Sequence, residues 1–344
     1  MKHLLATLVV LFAACGDDSG SDPYIPPDPP TDAADVVAKL EAIPGVTATI
    51  EPTETAGYSY IVVHFTQPVD HANPEGATFQ QLASLLYRSG TAPVVVQTSG
   101  YWDYYLDRTV ELTRLLSANQ ISIEHRFFGE SRPEPADWSK LTIRQMADDQ
   151  HAIIAALRSV FPGKVVTTGG SKGGMTAVYH RRFYPDDVDG SVPYVAPLSF
   201  AAPDVRYAAF LDTLGPAACR QALRDVATNM LSQRRAAMLD RAQTESLQDG
   251  LQYTRIQIGP AVEGSIAGIE WAFWQYVGID GCDGVPPVTA TDDEMWAFLQ
   301  AVAPVSDNSD ASVAQFDAYY YQAYAQLGYP DGGATYLDSF LMYG

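Results

Sequence analysis

Residues 164–184 read KVVTTGGSKGGMTAVYHRRFY. The β-branched run VVTT predicts a buried strand, and residues 175–183 predict a helix. Between them, Gly169-x-Ser171-x-Gly173 has the spacing of a tight strand-to-helix turn that lifts a serine hydroxyl above a sheet. Glycine on either side lets neighbouring backbones approach closely, because it has no Cβ. The pattern indicates a nucleophilic serine, and a glycine-rich turn without chemistry is the alternative.

Alternating strand and helix patterns surround this turn, from about residue 92 to residue 197. They comprise predicted strands at 92–98, 121–127, 165–168 and 190–195, and predicted helices at 107–118, 142–161 and 175–183. The alternation indicates a mostly parallel, doubly wound sheet. Upstream, residues 46–65 predict two antiparallel strands, whereas residues 78–88 fit either a strand or a helix. With the serine turn at its centre, the pattern predicts an α/β-hydrolase core over residues 36–198.

The chain changes character after this core. Residues 199–335 begin with helical stretches rich in Ala, Gln and Arg and continue into an aromatic, acidic region. We interpret them as a mainly helical cap inserted after the sixth strand of the sheet. Residues 256–344 contain no Lys or Arg against twelve Asp and Glu, which is typical of a solvated acidic face. The alternative is a negatively charged vestibule that attracts a cationic group of a substrate.

The N-terminus has the pattern of an exported lipoprotein. Residues 1–14 place a lysine before a short apolar run, as in a signal peptide. Residues 12–15, FAAC, resemble a bacterial lipobox, in which Cys15 becomes the lipidated N-terminus; ordinary secretion with an unpaired Cys15 is the alternative. The acidic, Pro-rich residues 15–35 predict a disordered tether. We therefore expect a protein held at the bacterial cell envelope by its lipid alone, in the periplasm or at the cell surface.

The charge and the remaining cysteines limit the partners. A formal net charge of −20 disfavours nucleic acid and anionic lipid surfaces. Cys219 and Cys282 are the two cysteines besides Cys15, and an exported chain is expected to pair them. Both lie inside the predicted cap, so the bond would stabilise the insertion.

A serine nucleophile needs an adjacent base, usually a histidine oriented by a carboxylate. In the α/β-hydrolase order the acid and then the histidine follow the serine. His180 follows Ser171 on the same helix, and we expect that helix to carry it away from the reaction centre into a structural role. His125, at the end of a predicted strand, is expected to belong to a structural polar network. Residues 336–344 are interpreted as the start of the next core strand, with the acid and the histidine expected beyond Gly344.

The oxyanion hole can be predicted from the same turn. One donor should be the backbone N–H of Lys172, directly after the nucleophile and at a helix N-terminus. The other should come from the turn after the strand at 92–98, at Gly100 or Tyr101. The Lys172 side chain is interpreted as a solvated residue at the helix start, without assigned chemistry.

Three longer segments now support a resemblance. GGSKGGMTAVYHRRFYPDDVDGSVPYVAP (169–197), IEHRFFGESRPEPADWSKLTIRQMADDQHAI (123–153) and IEWAFWQYVGIDGC (269–282) resemble the secreted bacterial prolyl tri/tetrapeptidyl aminopeptidases. The resemblance covers most of residues 45–344, and the Glu-His-Arg segment also resembles the lysosomal Pro-X carboxypeptidase and dipeptidyl peptidase II. It implies a hydrolase core with a helical cap, a Ser-Asp-His triad, no metal or other cofactor, and a peptide substrate cleaved after proline. Only Ser171 of the triad can be carried over to this sequence.

The same resemblance gives the cap a purpose. It would narrow the entrance so that only the free end of a peptide reaches Ser171, and a carboxylate would bind the α-ammonium group. Glu270 is our candidate, with a buried structural glutamate as the alternative. The neighbouring aromatic side chains would wall a proline pocket or form cap core: Trp271, Phe273, Trp274 and Tyr276. An esterase or lipase, or an inactive binding lipoprotein, would suit the same fold, and activity on p-nitrophenyl esters against Xaa-Pro amides would separate them.

Overall fold

The computed structural model of the protein describes residues 28–104 and 107–343. The predicted signal peptide (residues 1–14), Cys15 and most of the predicted tether lie outside the described residues. The tether ends earlier than predicted, because helix α1 (Ala33–Glu41) already buries Ala33 against the core. No helix within the described ranges has both the length and the apolarity that crossing a bilayer requires.

The core is one seven-stranded mixed sheet in the order β1-β2-β3-β5-β4-β6-β7. Its strands are β1 (Val46–Glu51), β2 (Ser59–Pro68), β3 (Thr78–Tyr87), β4 (Val94–Thr98), β5 (Asn119–Ile123), β6 (Val165–Gly170) and β7 (Gly190–Tyr194). The pairs β1–β2, β2–β3 and β3–β5 are antiparallel. The pairs β5–β4, β4–β6 and β6–β7 are parallel. The ambiguous segment at 78–88 is therefore a strand, which inserts between β2 and the parallel half of the sheet.

Three helices accompany the parallel strands: α2 (Glu111–Leu116), α3 (Ile143–Val160) and α4 (Lys172–Phe183). At the N-terminus of α3, the Thr142 side chain accepts a hydrogen bond from the Gln145 backbone N–H at 3.1 Å and so caps the helix. Apolar side chains of α1 and α3 join one continuous core with the sheet. The predicted doubly wound arrangement of strands and helices is confirmed.

The cap follows β7, the seventh strand, and not the sixth as predicted, because residues 78–87 add a strand to the N-terminal half of the sheet. Its helices are α5 (Arg206–Leu211), α6 (Ala217–Ser232), α7 (Arg235–Asp249), α8 (Ile258–Ala267), α9 (Ile269–Ala272), α10 (Asp292–Val302), α11 (Asp310–Gln315) and α12 (Asp317–Gln322), with short 3-10 and π-helical turns between them. The cap has its own hydrophobic core, separate from that of the sheet. A disulfide between Cys219 on α6 and Cys282 joins two distant parts of it.

The acidic run of the cap does not form a simple solvated face. Four arginines from the first half of the cap bind carboxylates from the second half, in the pairs Arg224–Glu270, Arg234–Asp292, Arg235–Glu263 and Arg241–Asp293. The first half of the cap therefore supplies the positive charge that the second half lacks. These ion pairs join the two halves around the cap core.

The interpretation of residues 336–344 as a core strand is wrong. Residues Ala334–Phe340 form a 3-10 helix, and the Leu337 side chain is fully buried in the cap core. The Glu263 carboxylate accepts hydrogen bonds from the backbone N–H groups of Met342 and Tyr343, at 2.9 and 3.0 Å. Apolar residues at 336, 337, 340 and 341 have helical spacing, so one face of a helical turn can bury them against the cap.

Candidate active site

Ser171 occupies a strained turn between β6 and α4. Its backbone has φ 54° and ψ −124°, a conformation that a non-glycine residue rarely adopts. The Ser171 N–H donates to the Tyr194 carbonyl of β7 at 3.1 Å, which fixes the turn on the neighbouring strand. The Ser171 side chain is exposed. The turn therefore presents a serine hydroxyl at the carboxyl end of the parallel strands, as the Gly-x-Ser-x-Gly pattern predicts.

The flanking glycines are required by a close approach of backbones. A Cβ on Gly169 or Gly173 would overlap the Thr98 carbonyl oxygen at the end of β4. The Thr98 hydroxyl also donates to the Gly173 carbonyl at 2.8 Å. The end of β4 thus lies directly against the first turn of α4, which brings the following loop to the nucleophile.

The predicted oxyanion donors lie on the two sides of this contact. Lys172 is the first residue of α4, where backbone N–H groups have no acceptor within the helix. Gly100 has φ +78°, and a Cβ there would lie 2.8 Å from the Lys172 carbonyl carbon and 2.9 Å from the Gly173 nitrogen. The Tyr101 N–H donates to Ser99 Oγ at 3.0 Å, so it would have to exchange that acceptor for an oxyanion. The assignment of Tyr101 stays a prediction, with Gly100 as the alternative in the same turn.

The Lys172 side chain is not solvated, which corrects the sequence interpretation. It is only 3% exposed, and its Nζ donates a hydrogen bond to the Gly100 carbonyl. Nζ also lies 5.1 Å from the centre of the Tyr101 ring and 5.2 Å from that of Phe128. Burial lowers the pKa of the Lys172 side chain well below its usual value. The side chain turns back under the loop that follows β4 instead of extending into solvent.

No histidine in the described part of the chain is paired with the nucleophile. Across residues 28–104 and 107–343, Ser171 Oγ has no hydrogen-bond partner. His180 is fully buried and its Nε2 lies 3.0 Å from Asp187 Oδ2, an oxygen that His151 also contacts at 2.7 Å. These contacts agree with the structural role expected of His180.

The segment Glu124-His125-Arg126 supports the loop after β4. The His125 N–H donates to the Tyr101 carbonyl at 2.9 Å, and the Asp103 N–H donates to Glu124 Oε2 at 3.3 Å. Arg126 is fully buried, and its Nε and Nη2 donate to the two Asp149 carboxylate oxygens at 2.6 and 2.7 Å. The expected structural role of His125 is thereby supported. Sequence reasoning did not predict that this network would hold the loop beside Ser171.

The carboxylate of Glu270 is already bound by an arginine side chain. Its side chain is 2% exposed, and Arg224 donates to both of its oxygens, at 2.9 Å from Nε to Oε2 and from Nη2 to Oε1. Phe273 is buried in the cap core, and Trp274 packs beside it. These contacts fit the structural alternative for Glu270 and for two of the four aromatic residues, while Tyr276 is exposed.

A different set of aromatic side chains lies next to the serine turn. Tyr101 and Trp102 of the loop after β4 pack edge-on against Phe316 of the cap, with ring centres 6.0 and 5.1 Å apart. Tyr101 also contacts Tyr319 of α12 at 5.8 Å. No local pattern predicts this cluster, because its two cap residues follow Tyr101 and Trp102 by more than 200 residues. It joins the loop beside the nucleophile to the cap.

The chemistry of the site rests on its serine and on backbone donors. Among the residues that the structure describes, no group of three His, Cys, Asp or Glu side chains could hold a metal ion. A strained serine above the parallel strands, with a helix N-terminus and a glycine loop beside it, is the arrangement of an α/β-hydrolase with a serine nucleophile.

The comparisons identify the family within that class. Residues 29–343 match the model of the PS-10 peptidase S37 family, and the chain belongs to this family. The prolyl tri/tetrapeptidyl aminopeptidase of Streptomyces mobaraensis is 39% identical over 312 residues, which make up 90% of this chain and 65% of that protein. The mouse lysosomal Pro-X carboxypeptidase is 30% identical over 179 residues, 45% of this chain and 36% of that protein. This chain therefore spans less than two thirds of the length of either relative.

Similarity to solved structures is low. Acetyl xylan esterase 1 from Thermoanaerobacterium has 14% identity and a TM-score of 0.34, over 55% of this chain and 64% of that chain.

Proposed function

We propose that the protein is a serine exopeptidase that releases short N-terminal peptides after proline. The observation that carries the proposal is the strained Ser171 turn, in a chain that is 39% identical to the Streptomyces prolyl tri/tetrapeptidyl aminopeptidase. Ser171 Oγ would attack the carbonyl carbon of the proline residue while a base takes its proton. The Lys172 N–H and a donor of the loop at Gly100 or Tyr101 would stabilise the oxyanion. The same base would then protonate the leaving amine, and water would hydrolyse the acyl-enzyme.

The base and its orienting acid are proposed to come from polypeptide beyond Gly344. Ser171 Oγ has no partner within the described residues, and about a third of the Streptomyces relative lies outside the matched segment. We refer to this chain continued through the corresponding polypeptide as the extended protein. Removing the base of a serine triad lowers turnover by on the order of 10⁶. The 344-residue chain is thus expected to hydrolyse almost nothing by itself.

Recognition of a free peptide end is assigned to the cap. The α-ammonium group needs a carboxylate, and Arg224 already occupies that of Glu270. Asp307 has no ion-pair partner in the described part of the chain; its residue surface is partly exposed, while burial of the carboxyl group raises its pKa. Burial, and then the Asp307 charge, raise the pKa of Tyr320, which packs on the Tyr319 ring at 5.6 Å. We infer that Asp307, near the aromatic cluster beside Ser171, suits the ammonium group better than Glu270.

Export and lipid attachment complete the proposal. The support is the apolar run of residues 1–14 followed by FAAC with Cys15, together with the acidic tether. The lipid would hold the enzyme at the cell envelope while the tether lets its catalytic domain reach peptides. Replacing Cys15 by alanine is expected to move the protein from the membrane fraction to the soluble fraction; unchanged membrane retention would contradict the lipid anchor.

The function is tested with Ala-Ala-Pro-p-nitroanilide. The extended protein should release p-nitroaniline, and the 344-residue chain and the extended Ser171→Ala variant should not. An N-acetylated version of the substrate should be cleaved far more slowly, because it cannot offer an ammonium group. Faster hydrolysis of p-nitrophenyl esters than of Xaa-Pro amides would show an esterase instead. Binding of peptides without hydrolysis of either would show an inactive binding protein.

A further inference from the structure

The proposed mechanism uses only the backbone of Lys172, yet its side chain is among the most deeply buried charged groups of the core. In the described ranges it makes no ion pair with a carboxylate. Its amino group donates a hydrogen bond to the Gly100 carbonyl, and the Tyr101 and Phe128 rings cover the amino group. A buried amine without a carboxylate is costly, because it loses water and gains little in return. A methionine would fill similar space without that cost, so packing alone does not account for a lysine here.

The hydrogen bond from Lys172 Nζ to the Gly100 carbonyl orients the peptide plane between Gly100 and Tyr101. The Gly100 carbonyl belongs to the peptide that joins Gly100 to Tyr101, and a trans peptide points its C=O and N–H in opposite directions. Holding the carbonyl therefore also fixes the direction of the Tyr101 N–H. Gly100 itself is in the left-handed region, with φ +78°, and has no side chain of its own to restrain it. The Tyr101 N–H of this peptide donates to Ser99 Oγ at 3.0 Å, so the lysine holds the carbonyl and the Ser99 hydroxyl holds the N–H. Without the lysine, the Ser99 hydroxyl alone would restrain the peptide, and it could rotate more easily.

The position of Lys172 in the chain couples this contact to the nucleophile. Its backbone N–H is the first of α4 and follows Ser171 directly, while its side chain reaches the loop on the opposite side of the oxyanion position. One residue thus connects both sides of the predicted oxyanion hole. The amino group can donate to the carbonyl whether or not it carries a charge, since a neutral amine keeps two N–H donors.

We propose that Lys172 is a positioning residue for the oxyanion hole, whose side chain holds the Gly100–Tyr101 peptide in the orientation that stabilises the tetrahedral intermediate. The inference rests on the proposed function. Because the oxyanion forms only in the transition state, loss of this contact should lower kcat and leave KM nearly unchanged. Loss of one oxyanion donor typically costs about 10²–10³ in kcat, and we expect a decrease near the lower end of that range.

The first arm of the test needs no activity and uses the 344-residue chain. Amide hydrogen exchange is measured for the unmodified chain, Lys172→Met and the control Lys164→Met; Lys164 is an exposed lysine paired with Asp189. Exchange at residues 99–103 should accelerate at least tenfold in Lys172→Met and stay unchanged in the control. Lys172→Gln, which keeps a polar group, serves as the second variant if Lys172→Met does not fold. Unchanged exchange at residues 99–103 in a folded variant would overturn the inference.

The second arm measures kcat and KM in the extended protein with the same substitutions. Accelerated exchange together with a lower kcat and a KM within about twofold supports the inference. Accelerated exchange with an unchanged kcat overturns it, and so does a rise in KM alone. If the unmodified extended protein hydrolyses no proline substrate, the proposed function has failed. The exchange arm then still decides whether Lys172 holds the loop.

Discussion

Replacing Glu270 by glutamine separates the two roles that the sequence allows for this residue. In the structure the carboxylate is 2% exposed and receives three hydrogen bonds from Arg224, two from Nε and one from Nη2. Arg224 also donates to Asp212 Oδ1 at 2.5 Å. Glutamine keeps the shape and one acceptor oxygen but removes the charge and turns the other oxygen into a donor group that faces Arg224. The substitution therefore weakens an ion pair in the cap without opening a cavity.

The size of the effect follows from these contacts. Breaking a buried ion pair by removing one partner typically costs 3–5 kcal/mol. Here Arg224 is partly exposed and keeps Asp212, so its charge is not left without a partner. We expect the free energy of unfolding to fall by about 2–3 kcal/mol. This is less than for a fully buried ion pair, because Arg224 can still donate a hydrogen bond to the glutamine oxygen.

Urea denaturation and steady-state kinetics of the extended protein decide between the roles. The control is Asp293→Asn, because Asp293 is the exposed partner of Arg241 in the same cap and should lose well under 1 kcal/mol. KM for Ala-Ala-Pro-p-nitroanilide should change less than twofold in both variants. An unchanged free energy of unfolding in Glu270→Gln together with a KM raised tenfold or more would refute the structural role. It would restore Glu270 as the group that binds the α-ammonium.

Three further predictions concern stability. Replacing both Cys219 and Cys282 by serine opens a loop of 63 residues and should lower the free energy of unfolding by about 4 kcal/mol in the chain-entropy model; a urea midpoint equal to that of the oxidised protein would contradict it. Burial lowers the pKa of His125 well below 6.5, so the unfolded chain binds a proton that the folded chain does not. The free energy of unfolding should therefore keep its full value above about pH 6.5 and fall below that pH by up to about 1.4 kcal/mol per pH unit. In urea titrations at several pH values, the His125→Gln variant should show a shallower fall than the unmodified protein. Equal slopes for the two proteins would contradict this prediction. Leu337→Ala should cost about 2–5 kcal/mol in the same assay, because a fully buried leucine leaves a cavity in the cap core, whereas a loss under 0.5 kcal/mol would mean that residues 334–340 do not pack there in solution.

Local patterns predicted the centre of the fold well. The strand before Ser171, the glycines around it and the α3 helix each depend on neighbours in sequence, and the structure confirms them. The order of the helices and strands was sufficient to predict the parallel half of the sheet, because the right-handed crossover rule leaves few possible arrangements of the strands. The start of α4 was predicted three residues late, since Gly173 and Gly174 are poor helix formers that packing against β4 and Tyr194 places in the helix.

The features that the sequence did not predict depend on contacts between distant residues. The predicted strand at 121–127 ends at Ile123, because Glu124 and His125 turn to bind the loop after β4 and Phe127 adopts a positive φ. Lys172 looked solvated because a lysine at a helix start usually is, and only the loop at Gly100 makes its burial possible. Residues 336–344 have the apolar content of a strand, but their apolar side chains pack against the core of the cap, which the sequence pattern does not reveal. Glu270 could be assigned only once its partner Arg224, 46 residues away, was known.

The central claim is that Ser171 is the nucleophile of a peptidase that cleaves after proline. The most direct measurement treats the extended protein with a fluorophosphonate, which reacts covalently with activated serines, and identifies the modified residue by peptide mass spectrometry. We predict a single adduct on Ser171, formed in parallel with loss of Ala-Ala-Pro-p-nitroanilide hydrolysis and absent from Ser171→Ala. An adduct that persists in Ser171→Ala, or full inhibition with Ser171 unmodified, would contradict the claim.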